Sequence, residues 1–558
     1  MHRWITGMLA AAAAWGAGSN GPHAWWSGPQ VTLLGSPSRD GRRLSFADPA
    51  TGALGVRNLA SGSWQAVAER PAGSREFAYF SVFSPDSRKI AYAWFNSQGF
   101  YDLRVTAAEA GAQPAVLYRN EEAGFVQPCA WTPDGKFVLT LLFRRDNISQ
   151  IALVPAGGGA PRVLRSLNWV YPKKMDVSPD GRWIVYDNFA AEGKPERTIF
   201  LLSTDGSEER RLVDMPGNYL FPLWAPDGKG VFFAGDNGGP EEFWCVRVEQ
   251  GRAQGPPRRV SGALGRFLPL GITDAGILFY GVRTGSPDVY LAPLDNLTSG
   301  VQPISTRFPG RNGAPAWSPD GRRLAYLSRR GTENFGQDAR VIVVLDLSSG
   351  QEQEVPAAMA HLERLAWSPD GASLLVSGSD GKGRGGLFLV HMPDGATRLA
   401  AAEHDAPFRG YEAAWAADGK RFYYLHGGEE LRSHRLADGA ETTLLRAQVM
   451  EHLAISPAGD LLAVGIGGNA IRLTPLISGN TARLLPFPGL TELAWGRELY
   501  AGRGAELWAV PLDGTAPRRL GMPPDRQPGI SIRSDGRTIA LTAGREQSEV
   551  RSIELPRP

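Results

Sequence analysis

The chain has 558 residues, and 59 Lys and Arg stand against 57 Asp and Glu, so the net charge at pH 7 is only +2. Glycine (68) and proline (42) are abundant, and 42% of the residues are hydrophobic. This composition excludes collagen, a coiled coil and a long disordered tail, and a length above the ~250–300 residues of one core predicts two domains or a repeat array. The balanced charge argues against nucleic acid as a partner, because phosphate binding needs clustered cations.

The first residues have the outline of a signal peptide. Met-His-Arg precedes an apolar run from Trp4 to Trp15, and small residues follow it. We therefore expect residues 1–19 to direct export to the periplasm or outside the cell. The alternatives are an ordinary helix or a start site set too far downstream, which would remove an N-terminal partner domain. No segment reaches the ~20 apolar residues of a membrane-spanning helix.

The two cysteines, Cys129 and Cys245, each lie in an apolar run of the sequence. They are far apart along the chain and do not form a redox motif, so we expect both to be small buried hydrophobic residues.

A ten-residue motif, Trp-Ser-Pro-Asp-Gly-Arg-Arg-Leu-Ala-Tyr at 317–326, recurs along the chain. The first five residues of the motif, or close variants of them, occur in full in five copies. Seven further copies keep only part of them. We call the residue in the Ser place the anchor of each copy. The spacing of 37 to 50 residues is typical of a structural repeat. The anchors lie at 38, 84, 132, 178, 225, 273, 318, 368, 416, 456, 496 and 533.

Each motif predicts a β-hairpin, because Pro, Asp and Gly suit successive positions of a tight turn and apolar residues flank it. A third strand at 341–345 and a weaker fourth at 352–355 complete a unit. A repeated four-stranded antiparallel sheet is a propeller blade, and twelve blades exceed the 4–8 of one ring. We therefore predict an all-β fold of two β-propellers in tandem, at 28–298 and 299–558, with six plus six blades or seven plus five.

The Trp-Ser-Pro-Asp-Gly-Arg-x-Leu-Ala-Tyr signature resembles that of TolB-like, WD40-like β-propeller repeat proteins, which are common in bacterial envelopes. The resemblance covers nearly all the chain after residue 30. It implies a scaffold that binds partners at the periplasmic face of the envelope. Similar arrays occur in front of prolyl-oligopeptidase-type hydrolase domains and in the sensor parts of bacterial regulatory proteins.

The sequence contains no motif for common catalytic or cofactor chemistry. It lacks the Gly-x-Ser-x-Gly of a nucleophile elbow, a P-loop, His-Glu-x-x-His and Cys-x-x-Cys. On this basis we expect no cofactor and no metal, and a protein that is not an enzyme.

Polar residues recur four positions before the anchors of the second ring. This spacing places them at one level of consecutive inner strands, where they would form a polar ring around the channel. Ion pairs that line a wet channel are the plain interpretation, and a binding or catalytic site is the alternative. The four residues are Arg364, Glu412, His452 and Glu492.

The Pro-Asp-Gly turns and the turns between third and fourth strands share one face of a propeller, which we call the turn face. The opposite face, the loop face, carries the longer and more variable segments, where binding residues usually lie. Aromatic residues are frequent in those segments of the first ring and suit a peptide or sugar surface, although they can also pack between blades. They are Trp94, Phe95, Phe100, Tyr101, Trp169, Tyr171, Tyr219 and Phe221.

The sequence therefore favours an exported, non-enzymatic, monomeric propeller scaffold that binds a protein or peptide partner, or a glycan, through its loop face. The first alternative is a lyase or hydrolase with a site in the channel, built from residues such as His452 and Glu412. The second is the sensor half of a larger regulatory protein.

Overall fold

In the computed structural model, the residues that are described form strands and turns without a helix. None of them therefore provides a helix that could cross a membrane. The description covers 22–28, 31–74, 76–119, 123–144, 146, 148–167, 171–191, 196–236, 242–261, 267–284, 287–304, 306–307, 312–330, 339–380, 384–392, 394–402, 412–476, 481–521, 525–544 and 547–558. The predicted signal peptide at 1–19 lies outside these ranges.

The recurring motif forms the predicted hairpin turn. In the copy at 317–326, the Ser318 hydroxyl donates a hydrogen bond of 2.6 Å to Asp320, whose carboxylate also accepts the amide N–H of Arg322. The amide of Gly321 donates to the Ser318 carbonyl, and Gly321 has φ +66°. Glycine is preferred at such a left-handed position because it has no Cβ. Serine, aspartate and glycine at this spacing thus specify the turn.

The described strands of the first ring form six antiparallel sheets. In the first sheet, residues 31–38 run beside the first regular strand. The sheets are β2 (Arg43–Ala47), β3 (Leu54–Asn58) and β4 (Trp64–Ala68); β5 (Phe77–Phe83), β6 (Lys89–Phe95), β7 (Tyr101–Ala107) and β8 (Ala115–Tyr118); β9 (Ala123–Trp131), β10 (Phe137–Arg144), β11 (Ser149–Pro155) and β12 (Arg162–Leu167); β13 (Met175–Val177), β14 (Trp183–Phe189), β15 (Arg197–Ser203) and β16 (Glu209–Arg211); β17 (Asn218–Trp224), β18 (Gly230–Asp236), β19 (Glu242–Glu249), β20 (Arg252–Ala253) and β21 (Arg258–Ser261); and β22 (Phe267–Ile272) and β23 (Ile277–Thr284) with β1 (His23–Gly28) and β48 (Gln547–Glu554).

The described strands of the second ring likewise form six sheets. They are β26 (Asn312–Trp317), β27 (Arg323–Arg330), β28 (Ala339–Asp346) and β29 (Glu352–Val355); β30 (His361–Trp367), β31 (Ser373–Ser379), β32 (Gly385–His391) and β33 (Thr397–Ala402); β34 (Ala413–Trp415), β35 (Arg421–His426), β36 (Glu430–Arg435) and β37 (Glu441–Arg446); β38 (Met450–Ile455), β39 (Leu461–Ile466), β40 (Ala470–Pro475) and β41 (Arg483–Pro486); β42 (Leu490–Trp495), β43 (Leu499–Arg503), β44 (Glu506–Val510) and β45 (Arg518–Gly521); and β46 (Arg526–Ile532) and β47 (Thr538–Ala543) with β24 (Asp288–Pro293) and β25 (Gln302–Pro303).

Hydrophobic clusters between neighbouring sheets hold each ring together. In the second ring, one cluster joins Val289 and Ala540 of the last sheet to Leu324 of the first, which closes the circle. In the first ring, Leu33, Leu44 and Val550 belong to the corresponding cluster. Because each blade buries both faces against neighbours, the stacked blades supply the core. The predicted all-β propeller architecture is confirmed.

The closing sheet of each ring combines strands from both ends of that ring's sequence. In the first ring, β23 pairs with β48 and β48 with β1, so both ends of the described chain lie in one sheet. In the second ring, β24 pairs with β47. The boundary expected at 298/299 does not follow this pairing, because β24 and β25 belong to the second ring and β48 returns to the first. Local repeats do not reveal such long-range pairing.

Both cysteines are buried and free, as expected. Burial raises the pKa of the Cys129 thiol to about 12 and that of Cys245 to about 11. Neither thiol is therefore a ready nucleophile at neutral pH.

Candidate functional site

Aromatic side chains gather on the loop face of the first ring, at the ends of three paired strands. The strand register places Phe77 opposite Phe95, and Phe95 opposite Tyr101. The ring centroids of Phe77 and Phe95 are 5.0 Å apart, and those of Phe95 and Tyr101 are 5.2 Å apart. Phe125 of the next blade lies 4.8 Å from Tyr101. We call the connected, half-buried rings of this surface the aromatic band: Phe77, Tyr79, Phe80, Phe95, Tyr101 and Phe125.

The buried Phe143 connects the band to one aromatic residue of the next blade. Phe143 pairs with Phe125 on the neighbouring strand, and its ring lies 5.6 Å from Tyr171. The Lys173 ammonium lies 4.2 Å from the centroid of the Tyr171 ring and 3.1 Å from its hydroxyl. Burial acts to raise the pKa of Tyr171, but the nearby Lys173 charge outweighs it and lowers that pKa. A cation therefore lies at this end of the aromatic surface.

A second group of charges lies beside the band. Asp102, next to Tyr101, is fully buried and accepts hydrogen bonds from Arg104, Arg119 and Asn96. Arg119 is 2.7 Å from Asp102, and 46% of its side chain is exposed. Arg104 and Arg119 share the Asp102 carboxylate, and the nearby Glu76 also interacts with Arg119, so positive and negative charges are balanced beside the band.

Three of the predicted loop-face aromatics are buried packing residues. Trp94 is 1% exposed and donates from its indole N–H to Glu76, while Tyr219 and Phe221 are 0% and 2% exposed. Tyr219 packs edge-on against Phe233, and Phe221 belongs to the cluster between two blades. Alternation along a strand turns these side chains towards neighbouring blades. They therefore cannot form an open binding surface.

The other five predicted aromatic residues do not share one environment. Phe95 and Tyr101 belong to the aromatic band, and Tyr171 is connected to it through Phe143. Phe100 is half-buried in the turn between β6 and β7, where its amide donates to Asn96. Trp169 lies outside the described residues.

The prediction missed four members of the band: Phe77, Tyr79, Phe80 and Phe125. All four lie near the start of an inner strand, where they resembled ordinary core positions. The pairing of Phe77 with Phe95 across the hairpin is the signal that could have found them, because paired residues share one face of a sheet.

In the second ring, three of the four predicted channel residues, Arg364, His452 and Glu492, lie at bulges of the inner strands. The register of β38 shifts between Glu451 and Leu453, and that of β30 between Leu362 and Arg364. His452 has φ +59°, an uncommon conformation for a side chain of this size. Bulges often redirect side chains next to functional sites.

Three of the four predicted channel residues come together. The Glu412 carboxylate lies 3.0 Å from the Arg364 guanidinium and 3.4 Å from Nδ1 of His452. Burial acts to raise the pKa of Glu412, but Arg364 and His452 outweigh it, so that pKa is lowered. Glu412 is therefore a carboxylate at neutral pH, held between a guanidinium and an imidazole.

The fourth residue, Glu492, does not join this group. It is ion-paired with Arg526 of the next blade and accepts a hydrogen bond of 3.0 Å from the amide of Gly529. Both side chains of the ion pair are almost fully buried. The pair thus links two blades, and the predicted polar ring is limited to three consecutive blades.

The channel of the second ring is an open cavity of about 1130 Å³. Residues of all six inner strands line it, including Ala366, Ala414, Ala454 and Ala494. Arg364 and Glu412 are also part of the lining. Protein pockets for small ligands measure about 300–1,000 Å³, so the channel is large enough for a ligand. The described residues contain no group of three or more His, Cys, Asp or Glu side chains placed to hold a metal ion.

Closed rings of antiparallel blades with a central channel define a β-propeller protein. Residues 274–477 match the family model described as PD40, TolB beta propeller domain. The predicted resemblance to TolB-like β-propeller proteins is therefore confirmed.

Curated relatives cover parts of the chain. Dipeptidyl-peptidase 5 of Porphyromonas gingivalis is 25% identical over 50% of this chain and 48% of its own length. The Tol-Pal system protein TolB of Nitratidesulfovibrio vulgaris is 28% identical over 25% of this chain and 30% of its own. The chain thus spans less than half the length of either relative in the match. Among solved structures, the tricorn protease aligns with 92% of this chain and 62% of its own, at 12% identity and a TM-score of 0.33.

The expectation that the protein is not an enzyme is contradicted by these comparisons, since a relative that matches half of the chain is named a dipeptidyl-peptidase. The expectation used the lack of catalytic motifs. That lack carries little weight for two reasons. The match covers only about half of the relative's length. A catalytic site in a propeller can also be built from residues that are dispersed along the sequence.

Proposed function

We propose that this chain binds peptide segments through the aromatic band on the loop face of its first ring. The observation that carries the proposal is the connected set of half-buried rings, which includes Tyr101 4.8 Å from Phe125 and spans two blades. Aromatic and arginine side chains dominate the energetics of protein interfaces, because they combine large apolar area with a polar group.

The charges beside the band favour a peptide ligand. The part-exposed Arg119 guanidinium and the Lys173 ammonium at Tyr171 suit acidic side chains or a carboxyl terminus, while the rings accept apolar side chains. The names of the relatives are consistent with this ligand class, since a dipeptidyl-peptidase acts on peptides.

Binding to a random peptide array tests the proposal. In the double variant Tyr79→Ala, Phe95→Ala, we expect loss of most of the bound signal with the blades still folded, as measured by the melting midpoint. The matched control is Trp64→Ala, which removes an aromatic ring that is 45% exposed but lies in a different blade. Undiminished array binding by the folded double variant would contradict the role of the band.

We also propose that the protein acts in the cell envelope. The signal-peptide outline at 1–19 supports this location, and so does the similarity to a protein named for the Tol-Pal system. Residues 1–28 fused to a reporter that is active only after export should give an active product. An inactive reporter that accumulates in the cytoplasm would contradict the proposal.

A second candidate function is catalysis by a hydrolase or lyase site in the second ring. The pairing of Glu412 with His452 favours it, because a carboxylate that holds one imidazole nitrogen leaves the other free to exchange a proton with a substrate. Arg364 would stabilise negative charge on the reacting group.

The double variant Glu412→Ala, His452→Ala tests this candidate on a panel of dipeptide amides and polysaccharides. Lost turnover with an unchanged melting midpoint is the expected result, and His391→Ala, a change of an exposed histidine on an outer part of its blade, should keep turnover. Turnover that persists in the double variant would exclude this group as the catalytic site.

A further inference from the structure

We propose that the channel of the second ring binds an acidic peptide segment, at a site separate from the aromatic band. The inference does not depend on the aromatic band, which lies in the first ring. It shares the channel with the second candidate function, but its test changes Arg497 and Arg533 and leaves Glu412 and His452 in place. It rests on the charge, the width and the side-chain pairing of the channel.

The charge of the lining is unbalanced. Among the described lining residues, five arginines stand against two glutamates, although the whole chain has almost equal numbers of cations and anions. The positive charge of the channel is therefore local. Channels lined by one sign of charge between low-dielectric walls attract ligands of the opposite sign. An anionic ligand suits this channel best.

Both carboxylates of the lining already have partners. Glu412 pairs with Arg364, and Glu363 lies 3.5 Å from His361. With both glutamates counted, arginine still exceeds glutamate in the lining. The side chain of Arg364 remains 40% exposed and can contact a ligand at this level.

The turn-face end of the channel carries two arginines of neighbouring blades. Arg497 is exposed and lines the channel. It lies against Gly536, in the same turn as Arg533. Arg533 is 3.7 Å from Asp535, a loose contact that a ligand carboxylate could replace. Arginine forms paired, charge-assisted hydrogen bonds with carboxylates.

The width of the channel between these levels comes from small side chains. Two positions before the anchors, the lining has Ala366, Ala414, Ala454, Ala494 and Ser531. Because none of these side chains extends far from the strand, an extended peptide can lie along the axis. Its carboxylates would then meet Arg364 at one level and Arg497 with Arg533 at the other. Spaced carboxylates on a linear chain fit this arrangement.

Fluorescence anisotropy of the full chain with a labelled oligoglutamate peptide tests the proposal, with an oligoglutamine peptide of equal length as the neutral comparison. We expect binding of oligoglutamate only. The variant Arg497→Gln, Arg533→Gln should weaken it by about tenfold or more, the usual effect of losing charge-assisted bonds. The matched control, Arg518→Gln, Arg519→Gln, removes the same charge from exposed residues of an outer strand, and should bind as the unchanged protein does.

Three outcomes would overturn the proposal. If oligoglutamate does not bind, an acidic peptide is excluded as the ligand. If oligogalacturonate binds and oligoglutamate does not, the channel is assigned to an acidic sugar. Equal weakening by the control variant would show attraction to the whole surface and not to the channel. The aromatic-band variant Tyr79→Ala, Phe95→Ala should bind oligoglutamate normally, which separates this test from that of the first ring.

Discussion

The two rings share one blade design but differ at their centres. In the second ring, alanines line the channel two positions before the anchors. At the same positions the first ring has three larger residues, Val82, Asp176 and Leu223, besides the small Ser36, Ala130 and Gly271. Its Lys174 reaches across to donate a hydrogen bond of 3.3 Å to the carbonyl of Leu270, on an inner strand two blades away. The same scaffold thus supports two centres of different chemistry.

The buried charges of the first ring explain part of this difference. Burial lowers the pKa of Lys174 and raises that of Asp176, so the surroundings disfavour the charge of both groups. The Asp176 carboxylate accepts the amide N–H of Trp224, which fixes it to the next blade. These groups serve contacts within the ring, whereas the arginines of the second ring face an open channel.

Removal of residues 547–558 should produce the largest difference in stability between the two rings. The deletion takes away β48, which pairs with both β23 and β1, so we expect the first ring to unfold while the second ring, closed by β24 and β47, keeps its melting transition. Calorimetry would measure the two transitions. Removal of Arg557 and Pro558 alone is the control, since it loses one exposed hydrogen bond. Selective loss of the second ring would contradict the strand pairing.

A turn glycine from each ring allows a finer comparison. Gly321 of the second ring and Gly135 of the first have φ +66° and +67°. Valine at either position should reduce the free energy of unfolding by more than ~1 kcal/mol, because a side chain disfavours the left-handed conformation. The loss should be greater at Gly321, where a Cβ would lie 3.0 Å from Arg533, than at Gly135, where no atom lies within 4 Å. Chemical denaturation measures both, and an unchanged midpoint for Gly321→Val would contradict the hairpin turn.

The smallest expected effect is an acid sensitivity that both rings share. Hydrogen bonds from Thr132 to Asp134 and from Ser318 to Asp320 lower the pKa of each aspartate below its ordinary value of 3.8. The ionised carboxylates therefore stabilise the turns above pH 3.8, and this stability is lost as the pH falls through the lowered values. The melting midpoints of both rings should decline together in acid. Asp320→Asn should reduce this decline for the second ring, and a decline that stays the same would contradict the role of the turn.

Most of the fold could be predicted from the sequence, because the hairpin signal is local and recurs at most of the anchors. The closing strands could not, since β1 and β48 carry no motif and pair across nearly the whole chain. At the site, the repeat position of Arg364, Glu412 and His452 was sufficient to bring them together. It was insufficient for Glu492, because its partner Arg526 lies outside the repeated position.

The aromatic residues show the same limit. Their position in the loop segments of the repeat indicated that aromatic side chains gather on the loop face, but it did not separate buried rings from open ones. Trp94 and Phe95 are adjacent in sequence, yet one is 1% exposed and the other belongs to the aromatic band. Strand alternation decides between them, and it depends on a register that only the folded sheet defines.

Hydrogen–deuterium exchange of the full chain with each ligand in turn tests most directly whether the rings bind different ligands. We predict that a peptide selected on the array slows exchange at the starts of β5 and β9 in the first ring, and that oligoglutamate slows it at the ends of β42 and β46 in the second. Protection of the same ring by both ligands would contradict this division between the two rings.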